Sequence, residues 1–328
     1  MKMVLLILLS FSAMASNSEK LANLKTIKRF VFGSCNNQNK PQPLWSEMLK
    51  EKPDLFLWGG DIVYADKEKT NLVRAYEKQS HNKEWLKFKD KIPYVGIWDD
   101  HDYGINDGDW NNPFKKDAQK MLLDFLEEPE NSSRRKQEGV YTSYDFGRVK
   151  FILLDNRYFF KQQPGSEMLG EEQWKWLENE VNNSHAKVTF VMTGLSILSP
   201  QHPFGEGWPF YPSERDRLLR IMDGQKNSGV IYLTGDMHFA SIFRRHDHLE
   251  FLSSGMTHVT PRIAWWYLGR RYETSFFGLN YGLVDINWDG ETPIVTMSIR
   301  NRTGAEFHKR TFRLDGNEWV EETILIGL

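Results

Sequence analysis

The sequence contains one cysteine and no surplus of charge of either sign. Its 42 basic and 44 acidic residues leave a net charge of -2, so the chain lacks the basic excess that nucleic-acid-binding proteins carry. The single thiol, Cys35, excludes an internal disulfide. From the count alone, two interpretations of Cys35 stay open: a small buried hydrophobic residue, or a metal ligand.

No apolar run in the sequence is long enough to span a bilayer. Residues 4–13 form a short apolar run after Lys2, and the small-x-small sequence Ala13-Met14-Ala15 follows it. This pattern predicts a secretory signal peptide over residues 1–15; the alternative is an amphipathic start of a cytosolic domain. We therefore expect an exported protein, periplasmic or secreted, without a stable membrane anchor.

The sequence does contain seven short runs rich in β-branched and aromatic residues, each ending at a polar cluster. Continuous apolar runs of this length fit strands that are buried on both faces. Helical patterns lie between them, and strands that alternate with helices indicate an α/β fold. The runs occupy residues 29–37, 54–61, 92–102, 149–157, 187–196, 229–238 and 249–258.

The C-terminal part has a different pattern. Residues 281–314 alternate apolar and polar side chains around Asp289-Gly290 and Thr303-Gly304, which predicts antiparallel hairpins. The chain shows no internal repeat and no low-complexity linker. We therefore expect a short lead over residues 16–27 and one domain over residues 28–328.

Ionisable side chains collect at the predicted strand ends, where α/β sheets bind their ligands. Carboxylates placed so close together repel one another unless a cation neutralises them. Two metal ions that share one carboxylate could clamp the attacking and leaving oxygens of a phosphoryl group, so these residues predict a two-metal hydrolase. They are Cys35, Asp61 with Tyr64, Asp99-Asp100-His101-Asp102, Asp155 with Arg157, and Asp236 with His238.

The motifs GGDIVY, WDDHD and TGDMH, with the cysteine of FGSC, resemble the ordered motifs of the metallophosphoesterase superfamily. They are most similar to those of its PhoD-like alkaline phosphatase and phosphodiesterase branch. LLDNRYF, LGEEQWKWLENEV, WPFYPSERDRLL and LSSGMTH resemble further motifs of that branch, and the similarity runs from about Phe30 to Tyr281. The resemblance implies a layered α-β-β-α sandwich, with two central mixed sheets flanked by helices.

The resemblance also implies a two-metal centre, with Fe3+ and Ca2+ as the expected ions. Asp61 would bridge the two metals, and Tyr64 would bind the ferric ion as a phenolate. The alternatives are an N-cap or turn aspartate for Asp61, and a half-buried aromatic residue with its hydroxyl in water for Tyr64. Oxygen ligands such as Asp236 favour Ca2+ or another oxygen-binding divalent ion over Zn2+ at the second position. The implied ligands are Cys35, Asp61, Tyr64, Asp100, Asp236 and His238.

Three further residues are candidates for catalysis. His101 would contact a substrate oxygen or protonate the leaving group; the alternative is a structural imidazole tied to Asp99 or Asp102. Arg157 is a candidate phosphate clamp, or else forms a salt bridge to Asp155 or to a helix carboxylate. His202 could reach the phosphate, or lie in a solvated loop. Near Ser196, the strand end lacks the histidine that the superfamily usually places on the second metal, so Ser196, water or substrate would fill that position.

These patterns predict an exported phosphoesterase that hydrolyses phosphomonoesters, phosphodiesters or both, by in-line attack of a hydroxide held by the metals. Its partner would be a small-molecule phosphate ester, without sequence-specific binding of nucleic acid. Trp208, Phe210 and Tyr211 could form an apolar wall for the organic group of a diester, or belong to the core. The alternative function is a non-catalytic protein that binds phosphate ligands on the same fold.

Overall fold

The structure is a computed structural model that describes residues 15–65, 69–163, 166–200, 206–225, 228–269 and 274–322. Residues 1–14 of the predicted signal peptide and the candidate His202 lie outside the described residues.

Within the described residues, fourteen strands form two seven-stranded sheets. The first sheet has the strand order β14-β13-β12-β11-β1-β2-β3, and the second has the order β10-β8-β9-β7-β6-β5-β4. The strands are β1 (Arg29–Gly33), β2 (Leu55–Gly59), β3 (Tyr94–Ile97), β4 (Thr142–Phe146), β5 (Val149–Leu153), β6 (Val188–Thr193), β7 (Gly229–Thr234), β8 (Ala240–Arg245), β9 (His248–Ser253), β10 (Ser275–Phe276), β11 (Asn280–Asp289), β12 (Thr292–Asn301), β13 (Glu306–Asp315) and β14 (Glu318–Glu321).

Helices cover the outer faces of both sheets. The described α-helices are α1 (Asn17–Asn23), α2 (Leu44–Lys50), α3 (Lys69–Ser80), α4 (Lys83–Lys91), α5 (Asp100–Tyr103), α6 (Lys115–Phe125), α7 (Glu171–Asn182), α8 (Pro212–Asp223) and α9 (Arg262–Gly269). No described helix is both long and apolar enough to cross a membrane.

Both sheets are mixed. β1, β2 and β3 are parallel neighbours in the first sheet, while β11 joins β1 in antiparallel register. In the second sheet β5, β6, β7 and β9 are parallel, with antiparallel strands at both edges. Each of the seven apolar runs contains all or most of one strand, so the predicted α/β fold with two mixed sheets is confirmed.

The main hydrophobic core lies between the sheets. Phe30 of the first sheet contacts two rings of the second, Phe151 at 5.1 Å and Phe190 at 4.8 Å between centroids. Full burial of a phenylalanine contributes roughly 1.5–3 kcal/mol. Two further clusters fill the spaces between the outer faces and the helices, around Trp45 and Trp174. The central strands are therefore buried on both faces, which explains their continuous apolar sequences.

This topology positions the functional loops. Since β1, β2 and β3 are adjacent and parallel, their carboxyl ends lie side by side at one edge of the first sheet. The carboxyl ends of β5, β6, β7 and β9 lie side by side in the second sheet. The antiparallel strands β11–β14 extend the first sheet, with turns after Asp289 and Asn301.

Candidate metal centre

The loops that follow the parallel strands of both sheets come together in one site. The donor atoms of Cys35, Asp61 and His238 lie within 4.8 Å of one another, and so do those of Asp61, Asp100 and His101. Asp61 belongs to both groups. The six predicted ligands follow β1 (Cys35), β2 (Asp61, Tyr64), β3 (Asp100) and β7 (Asp236, His238).

Tyr64 and Cys35 contact the same oxygen of Asp61, and His238 contacts Tyr64 beside it. Tyr64 Oη lies 3.0 Å from Asp61 Oδ2 and 3.2 Å from His238 Nε2. Cys35 Sγ lies 3.4 Å from the same carboxylate oxygen. A carboxylate, a phenol, a thiol and an imidazole therefore form one compact donor set, of the mixed oxygen, sulfur and nitrogen type that suits a transition metal.

The second group contains only oxygen donors and His101. The backbone N–H of His101 donates to Asp61 Oδ1 at 3.3 Å and to Asp100 Oδ1 at 2.8 Å. The backbone N–H of Asp107 donates to Asp100 Oδ2 at 2.7 Å. These bonds orient the two carboxylates toward a cavity of about 370 Å³, which Asp236 and the side chain of His101 also line.

Two acidic residues near this site were not predicted from the sequence. Carboxylate oxygens of Asp107 and Glu206 lie within 4.8 Å of one another and of Asp100, and both residues line the cavity. Neither follows an apolar run directly: Asp107 lies in the loop after α5, and Glu206 lies between β6 and α8. Nothing in the sequence GEGW around Glu206 indicated a residue of the site.

Four of the six predicted ligands adopt left-handed backbone conformations. The φ angles are 61° for Cys35, 51° for Asp61, 66° for Asp236 and 57° for His238. Such angles are uncommon outside glycine, and each costs on the order of 1–3 kcal/mol unless the surrounding structure holds it in place. Eight described non-glycine residues have a positive φ, so half of them are predicted ligands, and this concentration marks a functional site.

The electrostatics of the carboxylates fit a bound cation. Burial and the charge of Asp100 raise the pKa of Asp61 well above its usual range, and burial and the charge of Asp99 do the same for Asp236. Burial also acts to raise the pKa of Asp100, but Arg157 and other partners hold it below its usual value. Three acidic groups that oppose one another's ionisation become stable as carboxylates when a multivalent cation lies among them.

The imidazole and the thiol fit a metal in the same way. Burial lowers the pKa of His238 to about 4, so the ring is neutral and can offer a lone pair at physiological pH. Burial and the charge of Asp61 raise the pKa of the Cys35 thiol, which makes this thiol unreactive without a positive charge beside it. The residues present therefore fit both metal positions that the resemblance implies.

The segment 254–258 of the LSSGMTH motif supports these donors from the end of β9. Ser254 Oγ lies 3.0 Å from Cys35 Sγ and accepts the backbone N–H of His238 at 2.9 Å. His258 Nε2 lies 3.1 Å from His238 Nε2, and its ring contacts Tyr64 at 4.9 Å between centroids. Such contacts orient metal ligands and tune their basicity. The sequence motif was recognised, but these roles were not predicted.

Arg157 is completely buried and already paired with carboxylates. Its Nε and Nη2 atoms both lie 2.6 Å from Asp99 Oδ1, and its Nη1 lies 2.6 Å from Glu206 Oε1. The backbone of Gly60 and Gly194 passes against Asp99, where a Cβ atom at either glycine would come within 2.6 Å of its side chain. The structure thus favours a salt-bridged Arg157 over a direct phosphate clamp, but the carboxylate partners are Asp99 and Glu206 rather than Asp155 or a helix carboxylate.

Replacing Arg157 with methionine should therefore act mainly on stability. Loss of the guanidinium leaves Asp99 and Glu206 without their cation, which should lower the free energy of unfolding by about 3–5 kcal/mol. Urea denaturation measures this change, and Arg220→Met, an exposed arginine on α8, should change it by less than about 0.5 kcal/mol. If instead Arg157→Met keeps the urea midpoint of the wild type but phosphate inhibits it more weakly, Arg157 would act as the phosphate clamp.

The structure separates alternatives that the sequence left open at two positions. Ser196 is fully buried and its hydroxyl donates to Glu250 Oε1 at 2.7 Å, so it is engaged away from the metal ligands. Trp208 is also fully buried, 6.3 Å from Trp174 between ring centroids. Trp208 belongs to the core and does not line the cavity.

Comparison with known families identifies the chain. A family model described as PhoD-like phosphatase matches residues 70–265, more than half of the sequence. The chain belongs to the PhoD-like phosphatase family. This membership confirms the resemblance inferred from the motifs.

Individual relatives of this PhoD-like chain are distant. Alkaline phosphatase D of Bacillus subtilis (strain 168) is 22% identical over 285 residues, which cover 69% of this chain and 48% of the relative. The chain thus spans about half the length of that curated relative.

Solved structures share the fold. The structure of PhoD has a TM-score of 0.68 at 19% identity, covering 92% of this chain and 73% of that one. GAP50, described as the anchor in the inner membrane complex of Plasmodium, has a TM-score of 0.55 at 11% identity, covering 89% and 90%. At these identities the structural matches show the fold alone.

Proposed function

We propose that this chain is a metal-dependent phosphoesterase that hydrolyses phosphomonoesters, phosphodiesters or both. The observation that carries the proposal is the arrangement around Asp61. Its carboxylate contacts Cys35 and Tyr64 on one oxygen and the backbone of His101 on the other, beside a cavity open to substrate. Membership of the PhoD-like phosphatase family supports the same reaction class.

The donor chemistry supports different metals at two positions. Cys35, Tyr64 and His238 suit a ferric ion, because thiolate, phenolate and imidazole are ligands for a transition metal. Asp100 and Asp236 offer oxygen ligands that suit Ca2+, and Asp61 would be shared. When bound, the two cations would supply an activated water and neutralise charge on the phosphoryl group.

The side chain of His101 lines the cavity next to these ligands. Its ring contacts the tilted ring of Tyr64 with 4.0 Å between centroids, and its backbone N–H bonds fix its position relative to Asp61 and Asp100. We assign His101 to contact a substrate oxygen or to protonate the leaving group. His202 remains a candidate for contact with the phosphate.

The wider organisation of the chain is part of the proposal. The sequence of residues 1–15 supports export to the periplasm or the medium, and residues 28–328 would form the single catalytic domain after a short lead that contains α1.

If the proposed function is correct, the purified protein should hydrolyse an aryl phosphomonoester, an aryl phosphodiester or both. Turnover should disappear after chelation and return when iron and calcium are added back, since the carboxylate cluster cannot act without cations. The ratio of the two rates gives the ester preference. A folded protein that binds phosphate in every metal state but turns over neither ester would support the non-catalytic alternative instead.

A further inference from the structure

Part of the lining of the cavity beside the candidate metal ligands is apolar. Besides the acidic and histidine side chains, the cavity is lined by an apolar wall that consists of Met237, Pro261, Ile263 and Ala264. Its volume of about 370 Å³ lies in the range of pockets that hold whole small molecules, about 300–1,000 Å³. The cavity therefore has room for an organic group in addition to phosphate.

The apolar wall is tied to the backbone of a predicted metal ligand. Thr260 donates its hydroxyl to Met237 O at 2.7 Å and its backbone N–H to His238 O at 2.8 Å. Trp265 Nε1 donates to Thr260 O at 2.7 Å, and its ring stacks on Phe277 at 5.5 Å. These contacts fix the start of α9 relative to His238, so the wall keeps a constant position beside the metal ligands.

Ile263 is the exposed part of this wall. Ile263 is 91% exposed, whereas the other exposed large apolar residues in the described part of the chain are at most 51% exposed. Single exposed apolar residues are ordinary on protein surfaces. Ile263 differs because it lies at a cavity that also contains Asp61, Asp100 and Asp236, where a bound organic group could cover it.

We propose that the apolar wall binds the organic group of the substrate, so that the site selects phosphate esters with an apolar group several carbons long. The inference rests on the proposed phosphoesterase function. Because Pro261 and Ile263 line the same cavity as the candidate ligand carboxylates, the ester substituent of a phosphate held there would be within reach of the wall. An alkyl chain and an aromatic ring share this chemistry, and both would remove the apolar surface of Ile263 from water.

Methyl, butyl and hexyl phosphate test the proposal, because their alcohol leaving groups have nearly equal acidity. For the metal-loaded enzyme, kcat/KM should rise by up to about fourfold for each methylene that the wall covers completely, and by at least about tenfold from methyl to hexyl. In Ile263→Ser this hexyl-to-methyl ratio should fall at least about threefold, while Ile263→Leu should retain it. Since Ile263 is 91% exposed, these variants should fold.

Val320→Ser is the matched control, because Val320 is 47% exposed on β14 and does not line the cavity. It should keep the wild-type ratio. A wild-type ratio near one, or the same ratio in Ile263→Ser as in the wild type, would overturn the inference while leaving the phosphoesterase function intact.

A binding measurement separates the two proposals if no ester is hydrolysed. Calorimetry with methylphosphonate and hexylphosphonate on the metal-loaded protein should give tighter binding of the hexyl compound, and Ile263→Ser should remove the difference. Phenylphosphonate would distinguish a ring-binding wall from one that prefers a chain. Equal affinities for the methyl and hexyl compounds would reject the wall as a binding surface.

Discussion

Replacing Asp61 with asparagine should lower kcat/KM for phosphate esters at least about 1,000-fold. The amide cannot balance the charge of two cations, and a loss of about 4 kcal/mol in transition-state stabilisation corresponds to that factor. Asp61 is the residue shared by both donor groups, so its replacement should affect both metals. The measurement is kcat/KM for an aryl phosphate ester after metal loading.

Two further variants make this result specific. Asp216→Asn changes an exposed carboxylate on α8 and should leave kcat/KM unchanged. His101→Ala should keep the metal content and lose rate, because its proposed role is toward the substrate. Wild-type kcat/KM in Asp61→Asn, or in His101→Ala, would contradict the role assigned to that residue.

Removing the metals should make the stability of the protein fall as pH rises from 7 to 9. Without cations, burial and neighbouring carboxylates raise the pKa of Asp61 and Asp236 well above the usual range, and burial raises the pKa of Asp102 to about 7. The folded state then holds more protons than the unfolded state in this window. Stability must therefore decrease as pH rises, by up to about 1.4 kcal/mol per pH unit for each such proton.

The chosen pH window avoids the opposing effect of the buried imidazole. The pKa of His238 is lowered to about 4, so its contribution to stability is lost as pH falls below about 6.5 and is complete above that value. Thermal unfolding of chelated protein should thus show a lower midpoint at pH 9 than at pH 7. Metal-loaded protein should show a smaller change.

Asp61→Asn is the matched variant for this experiment as well. In the absence of metal it removes one of the opposing carboxyl groups, so its unfolding midpoint should depend less on pH than that of the wild type. A chelated wild-type protein that becomes more stable from pH 7 to pH 9 would show that these carboxylates do not form a repulsive cluster.

The fold could be predicted from the sequence because its central strands carry a local signal. Every residue of β2 and β6 is buried, so their sequences are apolar at consecutive positions and stand out from the helical segments. β4 was not predicted, because this edge strand has only one fully buried residue and its sequence, TSYDF, lacks a continuous apolar run. Burial on both faces therefore decides which strands the sequence reveals.

The clustering of the candidate metal ligands was predictable for a related reason. They follow the apolar strands directly, and the parallel topology brings the ends of such strands together. The partners of Arg157 were not predictable, since Asp99 lies 58 residues away in sequence and the salt bridge forms only when the two sheets pack. The contact of His258 with His238 was not predictable for the same reason. It joins the ends of β7 and β9, which are neighbours only in the folded sheet.

The metal content of the purified chain tests the two-metal centre most directly. Elemental analysis after loading with iron and calcium, followed by removal of free ions, should give about two cations per chain for the wild type. Asp61→Asn should lose both, while Asp216→Asn should retain both. A folded wild-type chain that retains no cation, or an Asp61→Asn chain that retains two, would contradict the account.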